Sequence, residues 1–152
     1  MTIDTLAILA RIRKFNRERG YLEKGYDAKK ESAYPIEEAL EGFSDSNEIT
    51  FAPINSFARV TPKEFSRNIM RKLMTEKNPS KIESVDKHLD ILIYSFGSLM
   101  KLGLSDHEIL NCLEIVMEAN ETKVKESDAE GKSLKGDNFI PPEKKLELFL
   151  KD

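Results

Sequence analysis

The stretch SKIESVDKHLDILIYSFGSLMKLG, residues 80–103, decides the fold class. Ile82, Val85, Leu89, Leu92, Phe96 and Leu99 recur at the spacing of one helical face. Ser80 followed by Glu83 has the pattern of a capping box, and Gly103 supplies a stop. Beyond Asp90 the segment is apolar nearly all round. Such a helix belongs in the middle of a bundle or at a subunit interface.

The same punctuation continues on both sides. Ser105 and Glu108 repeat the capping pattern between Leu104 and Ile109, which are placed as a hydrophobic staple. That helix is expected to run through Leu113, Val116 and Met117 to about Lys125. A polar loop follows, and Pro141 with Pro142 opens a short terminal helix carrying Leu146, Phe149 and Leu150. Upstream, Thr61, Pro62 and Glu64 start a helix with Phe65, Ile69 and Leu73 on its apolar stripe, ended by Asn78 and Pro79. Residues 44–60 read as a long loop with a short extended piece. Ile36, Ala39, Leu40 and Phe43 give an earlier helix its apolar side. Pro35 allows that helix either a start at Tyr34 or Pro35, or a kinked start near Asp27. The first helix spans about Asp4 to Arg19, with Ile8, Ile12 and Phe15 on one face and Gly20 as its end. The expectation is an all-α helical bundle of about six helices, completed by oligomerisation. It forms one domain over residues 1–152, with an insert at about 44–80 and a tail at about 127–152.

Composition narrows the function. In 152 residues, 39% are hydrophobic and 34% charged, which suits a globule and not a disordered chain. A net charge of −3 argues against a nucleic-acid partner, and the basic runs Arg11 to Arg19 and Arg67 to Lys72 read as solvated helix faces. No run reaches the length of a membrane span, and Arg11 and Arg13 break up any signal-like apolar stretch. Cys112 is the single cysteine, set among apolar neighbours, so it reads as a packed small hydrophobe in a reducing compartment. The cytoplasm is the expected location. Phosphate-loop, nucleophile-elbow and Cys/His metal motifs are missing, and His88 and His107 have no companions at ligand spacing.

Two groups of acids remain. Glu37, Glu38 and Glu41 lie on the second helix, where Glu38 and Glu41 share a face. Asp86 and Asp90 share a face of the central helix, one turn beyond Glu83. Like charges at that spacing repel, and a hard divalent cation relieves the repulsion. Helices that each present two acids inward are a recurrent way to build such a site. The ordinary alternative is a wet, Glu-rich helix face, and Glu83 is also explained by capping.

The pattern resembles the MazG-like and phosphoribosyl-ATP-pyrophosphohydrolase-like proteins, the all-α nucleoside triphosphate pyrophosphatases. Ile12-Arg13-Lys14-Phe15-Asn16 with Gly20 is similar to that family's first helix. Glu38-x-x-Glu41 resembles its first acidic pair, and Val85 to Ile93 its second acidic helix. Ala119 to Lys123, then Gly131 to Pro142 with the run Lys135-Gly-Asp-Asn138-Phe139, is similar to the phage-type and phosphoribosyl-ATP-type tails. Two departures are plain: Lys87 stands where the family often has Glu, and the stretch between the acidic motifs is longer. The resemblance implies Mg²⁺-dependent hydrolysis between the α and β phosphates of a nucleotide, with Mn²⁺ as a substitute ion. It implies Glu38, Glu41, Asp86 and Asp90 as metal ligands, with Glu37 and Glu38 as catalytic carboxylates. Asn120, Lys123, Lys135, Asn138 and Phe139 are implied to hold the nucleotide substrate. A homo-oligomer, dimer or tetramer, is implied as well. The competing expectation, favoured by Lys87, is an inactive helical scaffold or interaction protein that keeps the fold.

Overall fold

The computed structural model describes residues 5–41, 48–51, 58–72, 78–129 and 132–151. The chain divides into two compact units: residues 1–25 with 94–152, and residues 26–93. Six α-helices and one short antiparallel strand pair make up the regular structure among the described residues, as the all-α reading expects. No helix among them is long and apolar enough to cross a membrane.

The first unit contains α1 (Thr5–Glu18), a single 3₁₀ turn (Leu22–Lys24), α5 (Asp106–Glu121) and α6 (Glu143–Leu150). It also takes the C-terminal end of α4 (Lys81–Lys101). Gly20 ends α1 at φ +64°, with its N–H on the Arg17 carbonyl and the Tyr21 N–H on the Asn16 carbonyl. This is a Schellman ending, which needs a left-handed residue and so selects glycine. Gly103 ends α4 in the same way, at φ +89°. α1 packs on α5, and Ile8, Ile109, Met117 and Ala119 are buried there. Ser105 and Glu108 start α5 with a complete capping box. The expected end near Lys125 comes early, at Glu121, because Thr122 intervenes. Its hydroxyl donates to the Ala119 carbonyl (2.7 Å) and accepts from the Ile140 N–H (3.0 Å), tying the helix end to the tail.

The polar loop after α5 folds back on itself. Val124 N–H donates to the Leu134 carbonyl and Leu134 N–H to the Glu126 carbonyl, with an antiparallel bridge between Ser127 and Ser133. The Tyr21 hydroxyl bonds Ser133 Oγ at 2.5 Å, pinning this loop near the end of α1. Gly136 passes so close to Val124 that a Cβ there would sit 2.3 Å from the valine Cγ1.

The second unit contains α2 (Ala28–Glu41), β1 (Ile49–Phe51), β2 (Ala58–Val60), α3 (Pro62–Lys72) and α4 as far as residue 93. Of the two possible starts for α2, the earlier is found. Asp27 Oδ1 accepts the N–H groups of Lys29 and Lys30, both at 3.0 Å, and so caps the helix. Pro35 therefore lies inside the helix, where it forgoes one backbone bond. β1 and β2 pair antiparallel, with Ile49 opposite Val60 and Ile49 buried. They supply the short extended piece expected in the 44–60 segment. α3 begins as its sequence predicts. Glu64 N–H donates to Thr61 Oγ1 and the Glu64 carboxylate accepts the Thr61 N–H. Phe43, Leu73 and residues 74–77, used above to bound α2 and α3, lie outside the described residues.

α2 packs on α3, and the contact is partly ionic. Ala33 and Glu37, one turn apart on α2, are buried, as are Pro62, Ser66 and Arg67 on α3. Arg67 Nη2 meets Glu37 Oε2 at 2.8 Å, its Nη1 donates to Ser66 Oγ, and its guanidinium lies 4.8 Å from the Tyr34 ring centroid. The solvated-face reading of the Arg67 to Lys72 run is thus corrected at Arg67, which is 8% exposed. α4 is the reverse case. Ser84 is its one buried residue, while Ile82, Val85, Leu89 and Leu92 are exposed.

Removing one partner of a buried ion pair leaves an unpaired charge in the contact. Arg67→Met is therefore expected to lower the unfolding free energy by about 3 kcal/mol in a urea melt. The double variant Glu37→Leu with Arg67→Met should recover most of that loss.

Candidate functional site

The acids singled out by the sequence fall in the second unit. Glu37 is 3% exposed and faces Arg67, so it serves the α2–α3 contact. Glu38, the next residue, is exposed. Glu41 ends α2, and its side chain lies outside the described residues. Asp86 and Asp90 are exposed on α4 and have no hydrogen bond or ion pair among the described residues. Glu83 caps α4: its carboxylate accepts the Ser80 N–H at 2.8 Å, and its own N–H donates to Ser80 Oγ. Among the described residues, no group of three or more His, Cys, Asp or Glu side chains is placed to hold a metal ion. Asp86 and Asp90 therefore form a pair of hard oxygen donors one turn apart on a helix surface.

Lys87, at the position where the resembled proteins often carry Glu, turns to another face of α4. Its ammonium donates to Ser32 Oγ on α2 at 2.8 Å. Glu38 lies six residues beyond Ser32, which is about 120° round the helix. The face of α2 that meets Lys87 is thus a different one from the face that carries Glu38.

The substrate residues implied by the resemblance all fall in the first unit, at the end of α5 and in the tail. Three of them come together. Phe139 has the Lys135 ammonium 5.1 Å and the Lys123 ammonium 6.0 Å from its ring centroid. Such distances permit cation–π attraction. Phe139 N–H donates to the Gly136 carbonyl, which fixes the turn that carries Asn138. Asn138 is exposed beside this group. Asn120 is half-buried in the last turn of α5, and its carbonyl accepts the Lys123 N–H at 3.1 Å.

Lys123 also lines a groove of about 540 Å³ between α1 and the segment following α5. Sequence reasoning missed the α1 side of it. Arg11, Lys14, Phe15 and Glu18 line this wall at three-, four- and seven-residue steps, so they share one face of α1, and Arg19 follows just beyond its end. The visible signal was that periodicity, which was read as a solvated face. Arg19 is fixed there: its guanidinium stacks 3.7 Å from the Phe15 ring centroid and donates to the Lys123 carbonyl at 2.6 Å. Arg11 grips Glu121 with two bonds, 2.9 and 2.7 Å, and also pairs with Glu114. Arg11, Lys14, Arg19, Lys123 and Lys125 outnumber Glu18, Glu121 and Glu126 along the groove, so its charge favours an anion. Cys112 is half-buried, and burial followed by nearby Glu108 pushes its thiol pKa up, which suits packing and not nucleophilic chemistry.

Arg11 also sets a pH dependence. Its hydrogen bond, against some desolvation, holds the Glu121 carboxyl below the usual carboxylate range. A depressed folded-state pKa contributes stability above the unfolded value and loses it as pH falls through the folded one. Arg11→Ala should lower stability by at most about 1 kcal/mol at neutral pH, the scale of a partly exposed pair. The difference from the parent chain should vanish on acidification below the carboxylate range, as read by thermal melts at several pH values. Set beside family profiles, curated proteins and solved structures, the chain matches none of them.

Proposed function

We propose that the chain is a Mg²⁺-dependent nucleotide pyrophosphohydrolase with a house-cleaning role, giving a nucleoside monophosphate and pyrophosphate. The observation that carries this reading is the cationic groove of the first unit. Its volume of about 540 Å³ falls in the range of small-molecule sites, and Phe15 beside Arg19 gives it a flat wall. The fixed guanidinium and Lys123 supply charge for phosphate oxygens, with Lys135 and Phe139 next to Lys123.

The donor chemistry of the second unit fits Mg²⁺. This ion keeps several waters and is commonly held by one or two carboxylates together with substrate phosphates. Asp86 and Asp90, exposed and without hydrogen bonds or ion pairs among the described residues, meet that need, and Glu38 and Glu41 are the ligands assigned to α2. Bound Mg²⁺ supplies positive charge that stabilises phosphate oxygens during in-line attack by water. Glu38 is the carboxylate assigned to orient that water and take its proton. Glu37 is held in the α2–α3 contact by Arg67, so the catalytic role falls to Glu38 alone. The homo-oligomer, a dimer or tetramer, belongs to the same reading. Exposed Ile82, Val85, Leu89 and Leu92 on α4 are its support, because a stripe of that kind is ordinarily covered. A second reading, a helical interaction protein without activity, draws on the same exposed stripe and on Lys87.

A pyrophosphate-release assay across nucleotides, with and without Mg²⁺, tests the proposal. Turnover should require the metal. It should fall about a hundredfold or more in Glu38→Gln and Asp90→Asn, while Lys123→Ala should chiefly raise KM. No release from any nucleotide would overturn the enzyme reading in favour of the interaction protein. Leu89→Glu should reduce the apparent mass in light scattering if α4 is the covered surface.

A further inference from the structure

A second polar cluster lies in the second unit, apart from the paired acids. Ser84, Lys87 and His88 project from one face of α4, at first, fourth and fifth positions. Tyr26, just ahead of α2, and Ser32, in its early turns, complete the cluster. Lys87 Nζ lies 3.2 Å from Tyr26 Oη and 2.8 Å from Ser32 Oγ. Tyr26 Oη lies 3.2 Å from His88 Nε2, with the two rings edge to face at 5.9 Å. Lys87 is a donor only, so it occupies an acceptor site on the phenol, while the imidazole tautomer sets which way the Tyr26–His88 bond runs.

Two features of this cluster call for an anion. Lys87 bonds only to neutral oxygens and has no ion pair among the described residues, although the chain carries net negative charge. The Ser84 hydroxyl is buried, close to the Tyr26 oxygen, and has no hydrogen bond of ordinary geometry among the described residues. A buried hydroxyl without a partner costs free energy that an acceptor atom would return. Tyr26 itself is half exposed, so the cluster is open to solutes.

We propose that Tyr26, Lys87 and His88, with the Ser84 hydroxyl, bind a phosphate group, either as the free ion or as the end of a phosphate ester. The ammonium supplies the charge, and the Tyr26 and Ser84 hydroxyls supply donors beside it, which is the pattern that tetrahedral oxyanions select; Ser32 gives its own proton to the Ala28 carbonyl at 2.6 Å and steadies the ammonium. The nearby Ser84 hydroxyl and then Lys87, working against partial desolvation, hold the phenol below its ordinary pKa, which makes it a stronger donor. Glu31 opposes that shift, and it is the acid that acts on the phenol. The site stands on unit-two geometry alone and does not require the nucleotide reading.

The chain has two histidines, His88 and His107, so imidazole C–H signals give one reporter at the site and one control. The full chain is titrated with inorganic phosphate and, separately, with methyl phosphate, with sodium chloride matching ionic strength. The His88 signal should move saturably, while His107 stays put. Comparing the two ligands tells free phosphate from ester, and saturation by either supports the site. Lys87→Met should weaken binding about tenfold or more, and Tyr26→Phe should weaken it less. Circular dichroism confirms that both variants keep their helices. The proposal is overturned if His88 does not respond, if both histidines drift together without saturating, or if Lys87→Met binds phosphate as the parent does. The pyrophosphate-release assay reads neither outcome, so the two proposals fail separately.

Discussion

A guanidinium inside a helix contact is costly unless a carboxylate and further acceptors meet it there. The Arg67–Glu37 pair is the point on which the second unit depends. Apolar burial in that unit is slight: Ala33, Ile49 and Pro62 are its buried apolar side chains among the described residues. The α2–α3 packing therefore rests on the pair, on Ser66 beneath it and on Tyr34 across its face. The ionic contact also orders the rest. It holds one face of α2 on α3, which leaves Glu38 on an exposed face and Ser32 on the face that meets Lys87. The first unit uses the same device at lower burial, with Arg11 bridging α1 to Glu114 and Glu121 on α5.

Local signals in the sequence translated directly into structure, because each satisfies its own backbone groups. Ser80 with Glu83, Ser105 with Glu108, and Thr61 with Glu64 all close as capping boxes. Gly20 and Gly103 take the left-handed conformation at helix ends where the sequence placed stops. Long-range partners were less legible. A basic run on a helix looks the same whether it is wet or meets an acid elsewhere in the chain. Arg67 and Glu37 are thirty positions apart, and Arg11 and Glu121 further still. The Pro35 ambiguity had a similar origin, since only the Asp27 cap decides which side of the proline the helix begins.

The candidate sites divide along the same line. Lys123, Lys135 and Phe139, implied together by resemblance, do meet in space. Arg19 and Phe15 join Lys123 at the groove through contacts that no local pattern announces. Lys87 was legible only as a missing acid. Its chemistry emerges from Tyr26 and Ser32, which lie more than fifty residues away in the chain.

Gly136 shows how much of the tail hangs on the absence of a single carbon. The Val124 methyl occupies the space a side chain would need, so the backbone at 136 can lie against the segment that follows α5 only while it is bare. Thr122 holding Ile140 and the turn at Phe139 both sit within a few residues of that contact. The aromatic ring beside Lys123 is thus positioned by an intimate steric fit, and sequence drift at 136 is closed off by bulk alone, whatever the polarity of the newcomer.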